Sequence, residues 1–188
     1  MHVRRVVTGH DDAGRSVFAS DEQVAPLRLG LFPGWEFHAL WGGDEPPAYP
    51  GRGTRPPACG YFPALNGFRF SFSTIPPHGT AGYAGEDPGR DAAAVEEAMA
   101  GLLGHMEPDE PGMHTTDTID LEVILSGEAI LELDDGAERR LRTGDTVVQN
   151  GTRHRWRNPG SEPCVMAIFM LGARRYGSPA CGTSTRTV

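Results

Sequence analysis

The chain has 188 residues, 25 of them Gly and 16 Pro, and a net charge of −8. Gly and Pro exceed a fifth of the chain, against a usual share of about 12%, which speaks against a helical bundle because both interrupt helices. Acidic side chains number 25 against 17 basic ones, all Arg, and this excludes nucleic acid as the main partner, since phosphate binding needs a basic face. No apolar run reaches about 18 residues, so no membrane span is expected. The N-terminus MHVRRVVTGHDD has no apolar signal core. Cys59, Cys164 and Cys181 form an odd set without framework spacing, so free thiols are expected. These features predict a cytoplasmic protein with a single domain over 1–188.

In chain order, residues 3–7, 16–19, 27–32 and 36–41 read as short strands separated by turns such as Ala13-Gly14 and Pro33-Gly34. These strands and their loops fill 1–78. Residues 42–60, GGDEPPAYPGRGTRPPACG, are turn chemistry and read as a surface loop. Residues 68–75, FRFSFSTI, alternate and predict a strand that Pro76-Pro77 stops. Residues 79–90 form a second Gly-rich loop. Residues 91–105 predict the one helix, with Asp91 as N-cap and an end near Gly104.

From 113 to 171 the pattern is dense β. Strands are expected at 119–125, 129–133, 139–141, 146–149, 154–157 and 165–171. Turns at Gly127, Asp134-Asp135-Gly136, Thr143-Gly144-Asp145, Asn150-Gly151 and Asn158-Pro159-Gly160 separate them. Residues 172–188 read as a polar tail. Short strands at near-regular spacing mean a sandwich or barrel.

Side chains alternate along a strand, so Asp120, Glu122 and Ile124 share one face and Leu121, Val123 and Leu125 the other. The second face suits packing between sheets or a dimer contact. The first carries two carboxylates within an apolar run, which is costly unless a cation, an Arg or a shared proton lies nearby.

The segment His114-Thr115-Thr116-Asp117-Thr118-Ile119-Asp120, then Gly127, then Gly144-Asp145 through Gly151, His154 and Asn158, resembles the two motifs of the cupin superfamily. Asp120 stands seven residues before Gly127, where the family has Glu. His114 falls on the first motif histidine and Thr116 on the second. His154 and Asn158 keep the His-x-x-x-Asn spacing of the second motif. The stretch from Gly144 to Gly151 is one residue short, and no Pro precedes Gly151. The pattern is most similar to small single-domain cupins with a His-x-Thr-x-Thr-x-Asp first motif.

The resemblance implies an all-β fold: a jelly-roll barrel, or double-stranded β-helix, with its core at 113–171. N-terminal strands would extend one sheet or cross to a second subunit, the helix would pack outside, and the chain would form a homodimer. It also implies a divalent metal (Fe, Mn, Ni, Co or Zn) held by His114, Asp120 and His154, two imidazoles and a carboxylate being a set that leaves coordination positions open. Glu122 is then the catalytic proton mover, with Thr116, His38 and Arg155 at the substrate. The expected function is a metal-dependent enzyme acting on a small carboxylate- or carbonyl-bearing molecule by decarboxylation, isomerisation, dehydration or oxygenation.

The residues themselves leave other readings open. His114 also suits a turn, Asp120 a cap on the Thr116–Thr118 turn, and Glu122 an ion pair with Arg153, Arg155 or Arg157. Asp117 and Asn158 read as turn formers, and Trp35, Phe37, Phe68, Phe70 and Phe72 as packing aromatics. A metal-free binding cupin and a purely structural barrel are the alternative functions, the first favoured by Thr116 in place of a second histidine.

Overall fold

A computed structural model describes residues 1–79 and 87–176. Its strands are β1 (Arg4–His10), β2 (Ser16–Gln23), β3 (Glu36–Gly43), β4 (Phe68–Ile75), β5 (Thr118–Ser126), β6 (Glu128–Glu132), β7 (Glu138–Arg142), β8 (Thr146–Asn150), β9 (Arg155–Arg157) and β10 (Cys164–Gly172). One helix, α1, spans Pro88–Ala98.

Two sheets build a jelly roll. The larger has the order β3-β4-β10-β5-β8 and the smaller β7-β6-β9, with antiparallel pairing throughout. Ile75, Ile124 and Met166 from the large sheet meet Ala129 from the small one, with Cys164 beside them. Trp35, Leu141, Trp156 and Ile168 close the layer. Burial of such side chains, about 1.5–3 kcal/mol each, is what joins the sheets.

Turn chemistry sets where the strands reverse. Gly127 between β5 and β6 has φ 74°, and a Cβ there would lie 2.8 Å from the Pro163 carbonyl oxygen. Gly151 after β8 has φ 58°, and its Cβ would lie 2.9 Å from the Thr116 oxygen. Both are left-handed positions pressed against backbone, which only Gly fills without strain.

Four expectations need correction. The helix begins at Pro88, not Asp91. Asp87 caps it, its carboxylate accepting from Gly89 N at 2.9 Å and Arg90 N at 3.2 Å. Pro88 adds the fixed φ that suits a first helical turn. The helix stops at Ala98, Gly101 has φ 83°, and Leu103–His105 is a separate 3₁₀ turn. The second Gly-rich loop therefore ends before residue 88, and residues 80–86 of it lie outside the described residues.

Residues 27–32 are not a strand. Only Leu27 pairs, in a single bridge to Phe37, and Phe32 N turns back to the Leu29 oxygen at 3.0 Å. Pro26, Gly30 and Pro33 break the run, and its apolar side chains serve another purpose. Leu27, Leu29, Leu31 and Phe32 pack with Phe37, Tyr61 and Phe62 against Val95, Met99 and Leu102 of the helical segment.

Of the N-terminal strands, β3 and β4 extend the large sheet as expected, and only β1 and β2 do not. β1 and β2 form their own two-stranded ribbon. Arg5 ties it to β3 by donating to the Leu40 oxygen at 2.6 Å and lying over the Trp41 ring. The polar tail begins later than expected, because β10 runs to Gly172. Residues 177–188, including Cys181, lie outside the described residues. Among the described residues Cys59 and Cys164 are free thiols, and no helix is long and apolar enough to cross a membrane.

Candidate functional site

A cavity of about 660 Å³ opens between the two sheets and the helical segment. That volume lies in the range of sites for drug-sized ligands, roughly 300–1,000 Å³. Its wall takes Asp120 and Glu122 from β5, Ser73 and Ile75 from β4, and Met166, Ile168 and Met170 from β10. His114 and His154 stand on the wall with Arg155, Trp156 and Arg157 of β9. Phe32, Trp35, Phe37, Tyr61 and Phe62 come from the N-terminal segment that packs on the helix.

The two histidines are brought together by backbone pairing. His114 N donates to the His154 oxygen and His154 N to the His114 oxygen, both at 2.9 Å. Residues opposite each other in such a bridge point to the same side, so the rings meet, with centroids 4.2 Å apart. Each Nδ1 lies against a backbone carbonyl: Gly112 at 3.0 Å for His114, and Thr152 at 2.9 Å for His154. This fixes the proton on Nδ1 and leaves Nε2 as the lone-pair nitrogen. Burial lowers both pKa values, that of His154 to about 4, helped by the neighbouring His114. Both rings are neutral near pH 7.

The two carboxyls stand on adjacent inward positions of β5. Asp120 is 5% and Glu122 4% exposed, and Asp120 Oδ1 and Glu122 Oε2 are buried without a hydrogen-bond partner. Burial pushes Glu122 up to about 8, and the nearby Asp120 adds to it. Burial pushes Asp120 up to about 6, opposed by a hydrogen bond from Thr118. The pair is thus split into one group that keeps its proton at pH 7 and one that releases it. Tyr61 reaches the same region. Crowding in the wall and the two carboxyls raise its hydroxyl pKa.

The ion pair considered for Glu122 does not form. Arg153 bonds Glu107 at 2.7 and 2.6 Å and Asp134 at 2.9 Å. Arg155 grips Glu132 at 2.8 and 2.6 Å. Arg157 shares Glu132 and pairs with Glu138. Asp117 holds Arg175 instead of a ligand. Asn158 is a turn former: its amide donates to the Ile75 and Glu162 oxygens, and its own oxygen accepts from Gly160 N.

Of the residues singled out in the sequence, His114, Asp120, Glu122, His154 and Arg155 line the cavity. Thr116 is 2% exposed, shares a 2.7 Å hydrogen bond with Thr118 and is outside the lining. His38 is fully buried on the other face of the large sheet. It is opposite Phe72, whereas its neighbour Phe37 is opposite Ser73 on the cavity side. Trp35 and Phe37, read as packing residues, are also cavity wall. Tyr61 and Phe62 had no signal at all, because they follow a Pro-rich loop without periodicity.

The donors are chemically apt for a divalent metal: two Nε2 lone pairs and an unpartnered carboxyl oxygen. Geometry does not follow. Among the described residues no three His, Cys, Asp or Glu side chains are arranged to hold a metal ion. The arrangement does not fit the expected metal, and no step below passes through one.

Residues 103–171 match the family model described as "Cupin domain". This segment is similar to a cupin domain. The chain is 41% identical over 61 residues, 32% of its length, to oryzines biosynthesis cluster protein J of Aspergillus oryzae. The matched segment spans about a third of that relative, at 34%. A longer, weaker match is 26% identity over 177 residues to the cupin-domain-containing oxidoreductase fogC of Aspergillus ruber, covering 90% of this chain and 72% of the relative. Among solved structures, a predicted oxalate decarboxylase from Thermotoga maritima aligns with a TM-score of 0.42 at 13% identity, over 79% of this chain and 92% of that one.

Proposed function

We propose that the cavity is the active site of a small-molecule enzyme of lyase or isomerase type that moves a proton on a carbonyl-bearing substrate. One observation carries this: Asp120 and Glu122 each present a buried carboxyl oxygen with no protein partner on the wall of the cavity. Buried polar atoms are nearly always paired, so two adjacent orphans mark a place where a ligand supplies the partners. Asp120 takes a proton from the carbon next to the carbonyl while Glu122 gives one to the oxygen. The enol returns to the ketone by the reverse transfers, which leaves both groups as they started. His114 and His154 add two fixed acceptor nitrogens, and the aromatic wall excludes water.

The test is proton exchange. 2-Acetonaphthone, a neutral aryl ketone with an enolisable methyl group, is incubated in D₂O and followed by proton NMR. The wild-type chain is expected to accelerate methyl exchange over buffer, and Glu122→Gln to lose at least a hundredfold of that acceleration, in line with the usual 10²–10⁴ from positioned acids and bases. Exchange at the buffer rate, or equal rates in the two proteins, would sink proton transfer by this pair.

The metal-dependent form of the enzyme, expected from the sequence, needs His114, Asp120 and His154 to converge. An oxidoreductase activity like that named for fogC would draw on such a group. Elemental analysis separates the two. One metal per chain, lost in His154→Ala, favours the metal-dependent enzyme over metal-free proton transfer.

A further inference from the structure

The cavity pairs an aromatic wall with an unneutralised acidic one. Trp35 and Phe37 stack at 5.8 Å with planes 13° apart, and Phe32 meets Phe37 edge-on at 6.0 Å. Tyr61 and Phe62 meet edge-on at 4.8 Å. Asp120 and Glu122, with their orphaned oxygens, line the same cavity.

No guanidinium offsets those carboxyls. The lining contains two, Arg155 and Arg157. Both are committed to Glu132, and Arg157 to Glu138 as well. His114 and His154 have Nδ1 tied to backbone and present a lone pair, which repels an anion as a carboxylate does. A negatively charged ligand would enter a low-dielectric space already holding acceptors and find no free donor cation. An uncharged ligand, by contrast, enters the same space without that cost.

We infer that the site takes an uncharged aromatic carbonyl compound, its ring on the Trp35–Phe37 wall and its oxygen at the Asp120–Glu122 pair, and discriminates against the matching carboxylate. This inference rests on the cavity being the substrate site. It narrows the substrate from carboxylate- or carbonyl-bearing to the neutral, aromatic member of that class. Small dicarboxylates would meet the same uncompensated carboxyls.

Calorimetric titration of the whole chain at pH 7.5 with 2-acetonaphthone and with 2-naphthoate tests it, since the two share a ring system and differ in charge. The ketone is expected to bind at least tenfold more tightly. Asp120→Asn is expected to raise naphthoate affinity severalfold, and Trp35→Ala to weaken the ketone at least fivefold. Naphthoate binding as tightly as the ketone, or no saturable binding of either, overturns the inference. The wild-type ratio decides it even if a variant fails to fold. Ketone preference without proton exchange would sink the proton-transfer reading and keep this one. Exchange together with naphthoate preference would do the reverse.

Discussion

The inner and outer faces of β5 differ by one residue of register and by everything else. Inward point Asp120, Glu122 and Ile124, all at most 5% exposed. Outward point Leu121, Val123 and Leu125, at 44%, 36% and 41%. The usual arrangement of a sheet is reversed here, with carboxyls inside and aliphatics in solvent. Each face is costly alone, and each cost indicates a missing partner: a ligand for the inner face, another protein surface for the outer one.

The outer face is apolar across strands. Phe70, Phe169, Leu121 and Val148 stand opposite one another on β4, β10, β5 and β8. No charged side chain from these four strands points outward. Usual strand spacing and rise make the face of β4, β10, β5 and β8 roughly 19 by 26 Å, approaching the ~800 Å² that each partner gives a standard interface. An exposed apolar face of this size calls for a partner to cover it. We propose that a second copy of the chain does, as the homodimer expected from the sequence.

The largest effect that separates the faces is on chemistry. Glu122→Gln is expected to cost at least a hundredfold in ketone exchange, while Leu121→Ala, one residue away, leaves the rate within about twofold. Equal losses in both would dissolve the contrast. Next is assembly. Val148, 60% exposed, sits on the edge strand of the outer face. Sedimentation is expected to show a wild-type dimer and a folded Val148→Arg monomer. A monomeric wild type overturns the outer-face proposal.

Stability gives a smaller contrast. Ile124→Ala opens a hole in the layer between sheets and is expected to cost about 2–4 kcal/mol by denaturant unfolding. Leu121→Ala, measured in the Val148→Arg monomer, should cost less than about 1 kcal/mol. Parity between them would mean that the outer face is buried within one chain.

The smallest effect is a pH slope. The folded chain holds the Glu122 proton up to about pH 8, against an ordinary value of 4.5. Its stability contribution is whole below 4.5 and is lost as pH rises through about 8. Between pH 6.5 and 9 the wild type should lose stability, and Glu122→Gln should lose less. His154, lowered to about 4 from an ordinary 6.5, is present in both proteins, so its own titration cancels in the difference between their slopes. Parallel slopes would show that the carboxyl is solvated.

Much of this was legible in the sequence because it is local. Period-2 alternation placed Asp120 and Glu122 on one face, and Gly127 and Gly151 marked turns that only left-handed residues can make. The resemblance to cupins assigned His114 and His154 to one site, and a backbone bridge pairs them. What was not legible depends on contacts distant in the chain. Leu27 to Phe32 have the composition of a strand, yet interspersed Pro and Gly leave them to pack on the helix. Tyr61 enters the site from the far side of a loop, and His38 was assigned to the pocket from composition when one position of register places it behind the sheet. Motif spacing fixes which strands carry the three expected metal donors but not where their side chains converge, and among the described residues no three such groups are arranged to hold a metal ion.

The most direct test of the central claim, that the inner carboxyls exist for a ligand, is a crystal structure of the chain with 2-acetonaphthone. The carbonyl oxygen is predicted within hydrogen-bond reach of Glu122, about 2.6–3.2 Å, with the rings against Trp35 and Phe37. A ketone bound outside the cavity, or one whose oxygen turns away from Asp120 and Glu122, would contradict it.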